Sequence, residues 1–169
     1  METTVEDFQD LWELNFLAMV RCTRAAAPLL LDSGGHIVNI GSLAAKSASR
    51  FVGAYPVSKH AVAAYSHQLR LELASQGVHV LLVCPGPLTR PDEGDRYNDQ
   101  TQNLPESARK PGGGVKLKTI SPDYMAQRIL RACQRRQPEL IVPAKARLLF
   151  AISQLFPSLG DWIIRKSSA

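Results

Sequence analysis

Tyr55 and Lys59 stand four residues apart, and Ser42 precedes the tyrosine by thirteen. On a helix, positions i and i+4 share a face, so phenol and ammonium become neighbours. A free phenol titrates near pH ~10, too high for a base close to neutrality. An adjacent ammonium favours the phenolate and lowers that value. Such a tyrosine can give a proton to a carbonyl oxygen or take one from an alcohol, as a general acid/base. The Ser42 hydroxyl can hold the same oxygen by a hydrogen bond. A lone Tyr-x-x-x-Lys occurs by chance on many helices as a solvated pair. Here the pair opens a helical pattern just after a strand pattern, a serine ends that strand, and a strand closed by Pro85-Gly86 follows one crossover later.

The elements that must position these groups follow from periodicity. Residues 4–31 read as a helix capped by Thr3 or Thr4, with Glu6 and Asp7 in the first turn where they suit the helix dipole. Phe8, Leu11, Trp12, Asn15, Phe16, Met19 and Val20 fall at helical spacing, with Asn15 the one polar member of a face expected to be buried. Pro28 is expected to loosen its last turns, and 32–35 to form a turn. The run from His36 to Gly41 reads as a short buried strand. Ser42 stands at its carboxyl end, where open parallel sheets bind ligands. Asn39, inside that strand, reads as structural.

Gly53 to Ser75 reads as the next helix, with Pro56 in its first turn and Gly77 as its C-terminal stop. Val78 to Cys84 is a second buried strand, making a strand–helix–strand unit with a parallel crossover. Residues 88–120 are polar and rich in Pro and Gly, the pattern of a mobile loop. Gly112-Gly113-Gly114 follows no strand and lacks the Gly-Lys-Ser/Thr ending of a phosphate loop. A helix from Tyr124 to Arg136 opens on Ser121-Pro122, and Glu139 to Val142 is a third strand. Two amphipathic segments, Lys145 to Phe156 and Leu159 to Ile164, close the chain. Their apolar residues and flanking cations suit this domain's own core, a partner subunit or a membrane interface.

Bulk properties bound the function. At 169 residues the chain suits one domain with a sizeable core. No uninterrupted run of eighteen apolar residues exists, so no membrane span is expected. The acidic, polar start METTVEDFQD is not a signal peptide. Cys22, Cys84 and Cys133 are far apart and odd in number, which argues against a disulfide framework or a zinc site and fits a reducing cytoplasm. The net charge of +5 is scattered without a nucleic-acid motif, so no nucleic-acid partner is expected.

With these residues in place, the sequence resembles the classical branch of the short-chain dehydrogenase/reductase family. Ser42, Tyr55 and Lys59 match its catalytic motif, Asn15 in LWELNFLAMV matches its helix asparagine, and Pro85-Gly86 matches its Pro-Gly motif beside the nicotinamide. The resemblance implies an α/β fold, a partial Rossmann-like doubly wound parallel sheet of about three strands with flanking helices. It implies NAD(P) as cofactor and an alcohol/carbonyl pair as substrate. Tyr55 would be the acid/base, and Lys59 would lower its pKa and bind the nicotinamide ribose. Ser42 would orient the substrate, and Asn15 would hold a water that relays protons through the lysine. Pro85, Gly86 and Thr89 would contact the cofactor. The helices carrying Asn15 and Tyr55 would form a homo-oligomer interface, as they commonly do in this family.

The departure from the family is as informative. Its opening strand and Thr-Gly-x-x-x-Gly-x-Gly turn, which brings backbone amides to a pyrophosphate, are not in this sequence. The residue that would choose NAD or NADP is also not present. Residues 1–169 are therefore expected to be the C-terminal catalytic portion of such a domain, with 88–120 as substrate loop and 144–166 as terminal amphipathic segments. The strand at 36–41 would then be an exposed sheet edge. Three functions compete: an oxidoreductase, a non-catalytic homologue acting as an interaction module, and a peripheral membrane protein seated through its C-terminal segment.

Overall fold

The computed structural model describes residues 3–50, 52–90 and 118–167. Its start follows from a capping box. The Thr4 hydroxyl accepts from the Asp7 N–H at 3.2 Å, and the Asp7 carboxylate accepts from the Thr4 N–H at 2.9 Å, satisfying two donors of the first turn. Helix α1 (Val5–Trp12) passes through a π-turn (Glu13–Leu17) into α2 (Ala18–Ser33). The helix continues past Pro28 and stops at Gly34, whose φ of 63° is the left-handed conformation of a C-terminal stop. Asp32 and Ser33, expected in a turn, therefore belong to the helix.

Strand β1 (His36–Ile40) leads to a short 3₁₀ turn (Leu43–Ala45) and then α3 (Tyr55–Leu73). A 3₁₀ turn (Ala74–Gln76) and Gly77, at φ 76°, end α3 and deliver the chain to β2 (His79–Pro85). Helix α4 (Pro122–Gln134) begins at Pro122, with Ser121 in the cap position but making no side-chain cap bond. Strand β3 (Glu139–Val142) follows, then α5 (Ala146–Leu155) and α6 (Pro157–Ser167). Of the 88–120 segment, residues 91–117 lie outside the described residues. Its two ends meet in a parallel bridge between Leu88 and Ile120.

The three strands form one parallel sheet in the order β1-β2-β3. This is the α/β, Rossmann-like arrangement expected. Strand β2 is central and buried along its whole length, so its side chains divide by alternation. Leu81 and Val83 pack with Ile120, Met125, Ala132, Leu140 and Val142 on the α4 side. Leu82 and Cys84 pack with Ala45, Val62, Ile141 and Phe150, and Val80 packs with Ile37, Leu69 and Val78, on the α3 side. Burying a Val or Leu fully is worth about 1.5–3 kcal/mol, so this strand anchors the unit.

Strand β1 has the exposed edge expected at 36–41. It is the edge of the described sheet, and Ile40 is 51% exposed. The apolar face of the first helix, expected to be buried, is not: no residue of α1 is buried, and only Thr23 is buried in α2. Phe8 and Trp12 face outward, and the Trp12 and Phe16 rings meet in a tilted contact with centres 4.6 Å apart. Residues Val5–Ser33 are, by length and composition alone, apolar enough to cross a membrane, with a mean hydropathy of 1.3 over eighteen residues. Asn39 ties the strand to a helix, donating to the Ser66 hydroxyl of α3 at 2.9 Å.

One glycine fixes how β1 leaves the sheet. The Gly41 N–H donates to the Val83 carbonyl at 2.8 Å, and a Cβ there would lie 3.1 Å from that oxygen and 3.1 Å from Leu82 Cδ1. The leucine tip can yield, but the backbone carbonyl cannot without loosening the pair. Gly41→Ala should lower stability by about 1–3 kcal/mol, read as a lower urea midpoint at constant slope. An unchanged midpoint would refute this account of the close approach.

Candidate active site

Gly41 sets the position of the residue after it. Ser42 leaves β1 in extended conformation and caps the Leu43–Ala45 turn, its hydroxyl accepting from the Ala44 N–H at 3.1 Å. That bond uses one lone pair and leaves the O–H able to donate outward. Ser42 thus stands half-buried at the carboxyl edge of the sheet. Pro85 ends β2 at the same edge, and the Gly86 N–H donates to the Val142 carbonyl at 2.7 Å, closing the corner between β2 and β3. Thr89, three residues on, is exposed, and its N–H donates to the Ile120 carbonyl at 3.0 Å.

Helix α3 begins at Tyr55, with Pro56 next, where a missing N–H costs nothing. Tyr55 and Lys59 both occupy the first turns on one face, and the Lys59 ammonium lies 5.7 Å from the Tyr55 ring centre. Lys59 also donates to the Ile40 carbonyl at 3.1 Å, two residues before Ser42. One side chain therefore links the tyrosine to the strand end that carries the serine. Burial pushes the Lys59 ammonium below its ordinary pKa, partly offset by the Cys84 thiol. Cys84 is fully buried, and burial, reinforced by the Glu139 carboxylate, pushes its thiol up to about 11. It remains a neutral, inert side chain beside the site.

Asn15 sits in the π-turn. The Ala18 N–H there reaches back five residues to the Glu13 carbonyl, where a regular α-turn would use Leu14. The wider turn swings the Asn15 amide onto α3, where it donates to the Ser58 hydroxyl at 3.1 Å. Ser58 in turn donates to the Tyr55 carbonyl at 2.8 Å. Asn15 thus braces the first turn of α3, the turn that presents Tyr55 and Lys59.

The structure gathers the predicted residues at one end of the sheet. Ser42, Tyr55, Lys59, Pro85 and Gly86 lie on the carboxyl ends of β1 and β2 or the start of α3, and Asn15 backs α3 from behind. Sequence reasoning missed two contributors. Ser58, 2% exposed, is the link between Asn15 and Tyr55, and a serine directly before the motif lysine was its only signal. Gly41 shapes the serine's exit, and its place between strand and serine was the signal. A separate cleft of about 330 Å³, lined by Lys46, Glu139, Arg147 and Phe150 among others, shares no residue with this group. Lys46 and Glu139 close one wall of it with an ion pair at 2.6 Å.

The chain is similar to known proteins in sequence and fold. A family model described as short chain dehydrogenase matches residues 1–101, more than half of the chain and a span that includes every residue named for the site. The chain belongs to the short chain dehydrogenase family. A dehydrogenase/reductase SDR family protein 7-like of Drosophila melanogaster is 33% identical over 157 residues, covering 90% of this chain and 46% of that protein. A probable short-chain type dehydrogenase/reductase of Helicobacter pylori is 32% identical over 166 residues, covering 93% of this chain and 61% of that protein. The chain therefore spans about half to three-fifths of the length of these relatives.

Among solved structures, a short-chain dehydrogenase from Streptomyces avermitilis superposes with a TM-score of 0.69 at 26% identity. It covers 95% of this chain and 62% of that one. One from Burkholderia cenocepacia, solved in complex with NADP, superposes with a TM-score of 0.70 at 22% identity and shares the fold.

Proposed function

We propose that these residues form the catalytic half of an NAD(P)-dependent oxidoreductase that interconverts an alcohol and a carbonyl. The observation that carries this reading is Lys59, which lies 5.7 Å from the Tyr55 ring while bonded to the Ile40 carbonyl beside Ser42. In carbonyl reduction Tyr55 donates its phenolic proton to the carbonyl oxygen, and in alcohol oxidation the phenolate takes it back. Lys59 stabilises the phenolate by its charge, an effect strengthened by its partly dry surroundings. The Ser42 O–H holds the reacting oxygen toward Tyr55. Asn15 and Ser58 keep the first turn of α3 in register with the strand end.

The donor set fits the nicotinamide end of the cofactor. One ammonium and two hydroxyls at a carboxyl sheet edge suit ribose hydroxyls and a carboxamide, with Lys59 on the ribose and Pro85, Gly86 and Thr89 lining the ring side. When bound, the nicotinamide supplies or accepts the hydride. A pyrophosphate needs the amides of a glycine-rich turn at a helix start, and the 169-residue sequence contains no Thr-Gly-x-x-x-Gly-x-Gly.

The outward apolar residues of α1 and α3, among them Phe8, Trp12, Val57 and Leu71, support assembly of like chains through the helices that carry Asn15 and Tyr55.

Two measurements test this. Coupled turnover with alcohols and ketones, lost on replacing Tyr55, tests the chemistry. Calorimetry tests the division of the cofactor site: the 169-residue chain should bind NADH or NADPH with a dissociation constant above about 100 μM, an energy of roughly 5 kcal/mol. A clean isotherm at low micromolar would contradict the view that these residues hold only the nicotinamide end.

A further inference from the structure

Three titratable side chains converge at the opposite end of the sheet from Ser42 and Tyr55. His36 opens β1 and His79 opens β2, and the two are register partners across the parallel pair. By alternation both point to the α4 side, as do Leu81 and Val83 further along β2. Cys133, in the last turn of α4, packs against that same cluster. The ligand atoms of His36, His79 and Cys133 all lie within 4.8 Å of one another. The Nδ1 atoms of the two imidazoles are 2.9 Å apart.

We propose that His36, His79 and Cys133 form a site for a thiophilic divalent cation of the zinc type. Two imidazoles and a thiolate are the donor set that such a borderline-soft ion takes, with a fourth position left for water. The second sphere is already built. His79 Nε2–H donates to the Gln137 carbonyl at 2.8 Å, which fixes the ring and leaves its Nδ1 lone pair facing His36. His36 is exposed and offers the entry path, whereas His79 is only 6% exposed and Cys133 is half-buried.

Little rearrangement is needed. Metal–nitrogen bonds of about 2.0–2.1 Å at tetrahedral angles would hold the two nitrogens about 3.4 Å apart. The imidazoles must therefore part by about 0.5 Å, and the thiol, already within 4.8 Å of a nitrogen of each ring, must close on them. On binding, the His36 proton moves from Nδ1 to Nε2, leaving a neutral imidazole ligand, and the Cys133 thiol proton leaves to solvent, so the thiolate cancels one of the ion's two charges. Arg136, held on the Gly77 carbonyl at 2.7 Å, acts on His79 as a nearby cation and limits the affinity. An isolated cysteine and histidines far apart in the chain give no metal motif in sequence. The parallel register and the return of α4 bring them together.

The test is titration of the tag-free 169-residue chain with cobalt(II), followed by displacement with zinc(II). One cobalt per chain, tetrahedral d–d bands and a thiolate-to-cobalt charge-transfer band are expected. Cys133→Ser should erase the charge-transfer band and weaken binding at least about tenfold, and His36→Gln should weaken it similarly. Both positions have at least partial access to solvent, so circular dichroism should confirm that the variants fold. No binding, or binding without a thiolate band that Cys133→Ser leaves unchanged, would overturn the site and reduce the pair to hydrogen-bonded imidazoles. Neither result bears on Tyr55, at the other end of the sheet.

Discussion

Tyr55→Phe is expected to lower turnover of the alcohol/carbonyl pair by about 10²–10⁴-fold, the range for losing a general acid/base. The substitution removes one oxygen and keeps the ring. The Lys59 ammonium, 5.7 Å from the ring centre, keeps its aromatic neighbour. The Tyr55 carbonyl, which accepts from Ser58, is backbone and does not change. The first turn of α3 should hold, so the loss falls on kcat with little change in KM, because the phenol is needed in the transition state more than in binding. The pH profile adds a second readout. On the proposed mechanism, oxidation by the parent protein should fall as the phenolate protonates toward acid pH, and that limb should be missing from any residual activity of the variant. The check is steady-state kinetics on a form of the protein that turns over, with circular dichroism as control. Turnover within a few-fold of the parent would end the assignment of Tyr55.

Much of this arrangement is legible from residue types alone, because the signals are local. Thr4 with Asp7, Pro56, Gly77 and Pro122 mark helix ends through groups that act within one turn, and each stands at or within a residue or two of an observed end. The strand Glu139–Val142 is found between its breakers as read. What periodicity cannot see is an inserted residue. The π-turn at Glu13–Leu17 shifts the face of the first helix by one position, so Asn15 turns toward Ser58 although the 3.6-residue pattern only marks it as out of place. Burial is the other blind spot. An apolar stripe reports that a surface should be covered and not what covers it, and so Phe8 and Trp12, on the face the spacing marks for burial, stand outward. Side-chain convergence across long separations is the third. Lys59 onto the Ile40 carbonyl and His36 beside His79 both depend on the parallel register of β1 and β2, which no window of sequence contains.

Lys59→Met separates the chemical role of the lysine from its structural one. Methionine has a similar reach and fills the same space without charge. On the proposed mechanism the phenolate loses its stabilising ammonium, and turnover at neutral pH should fall about 10²-fold or more. Stability should move the other way or not at all. Burial holds the Lys59 pKa below its ordinary value, so the folded chain bears the cost of a partly desolvated ammonium. The sign follows from proton counts: between the lowered folded-state pKa and the unfolded value of about 10.4, the unfolded chain binds the proton and the folded chain does not. Stability from this group therefore rises with pH through that window, and its cost is fully present below it. The methionine variant lacks the ammonium, so its advantage should be greatest near neutrality and shrink as pH approaches 10. The bond lost at the Ile40 carbonyl is cheap, since Ile40 is 51% exposed and water can replace the ammonium there. Thermal melts of both proteins from neutral to alkaline pH read the difference directly. A midpoint for Lys59→Met more than about 5 °C below the parent at pH 7 would make Lys59 a structural strut. Retained turnover would remove it from the chemistry. A stable and inactive variant is what a lysine kept for catalysis at the expense of stability requires.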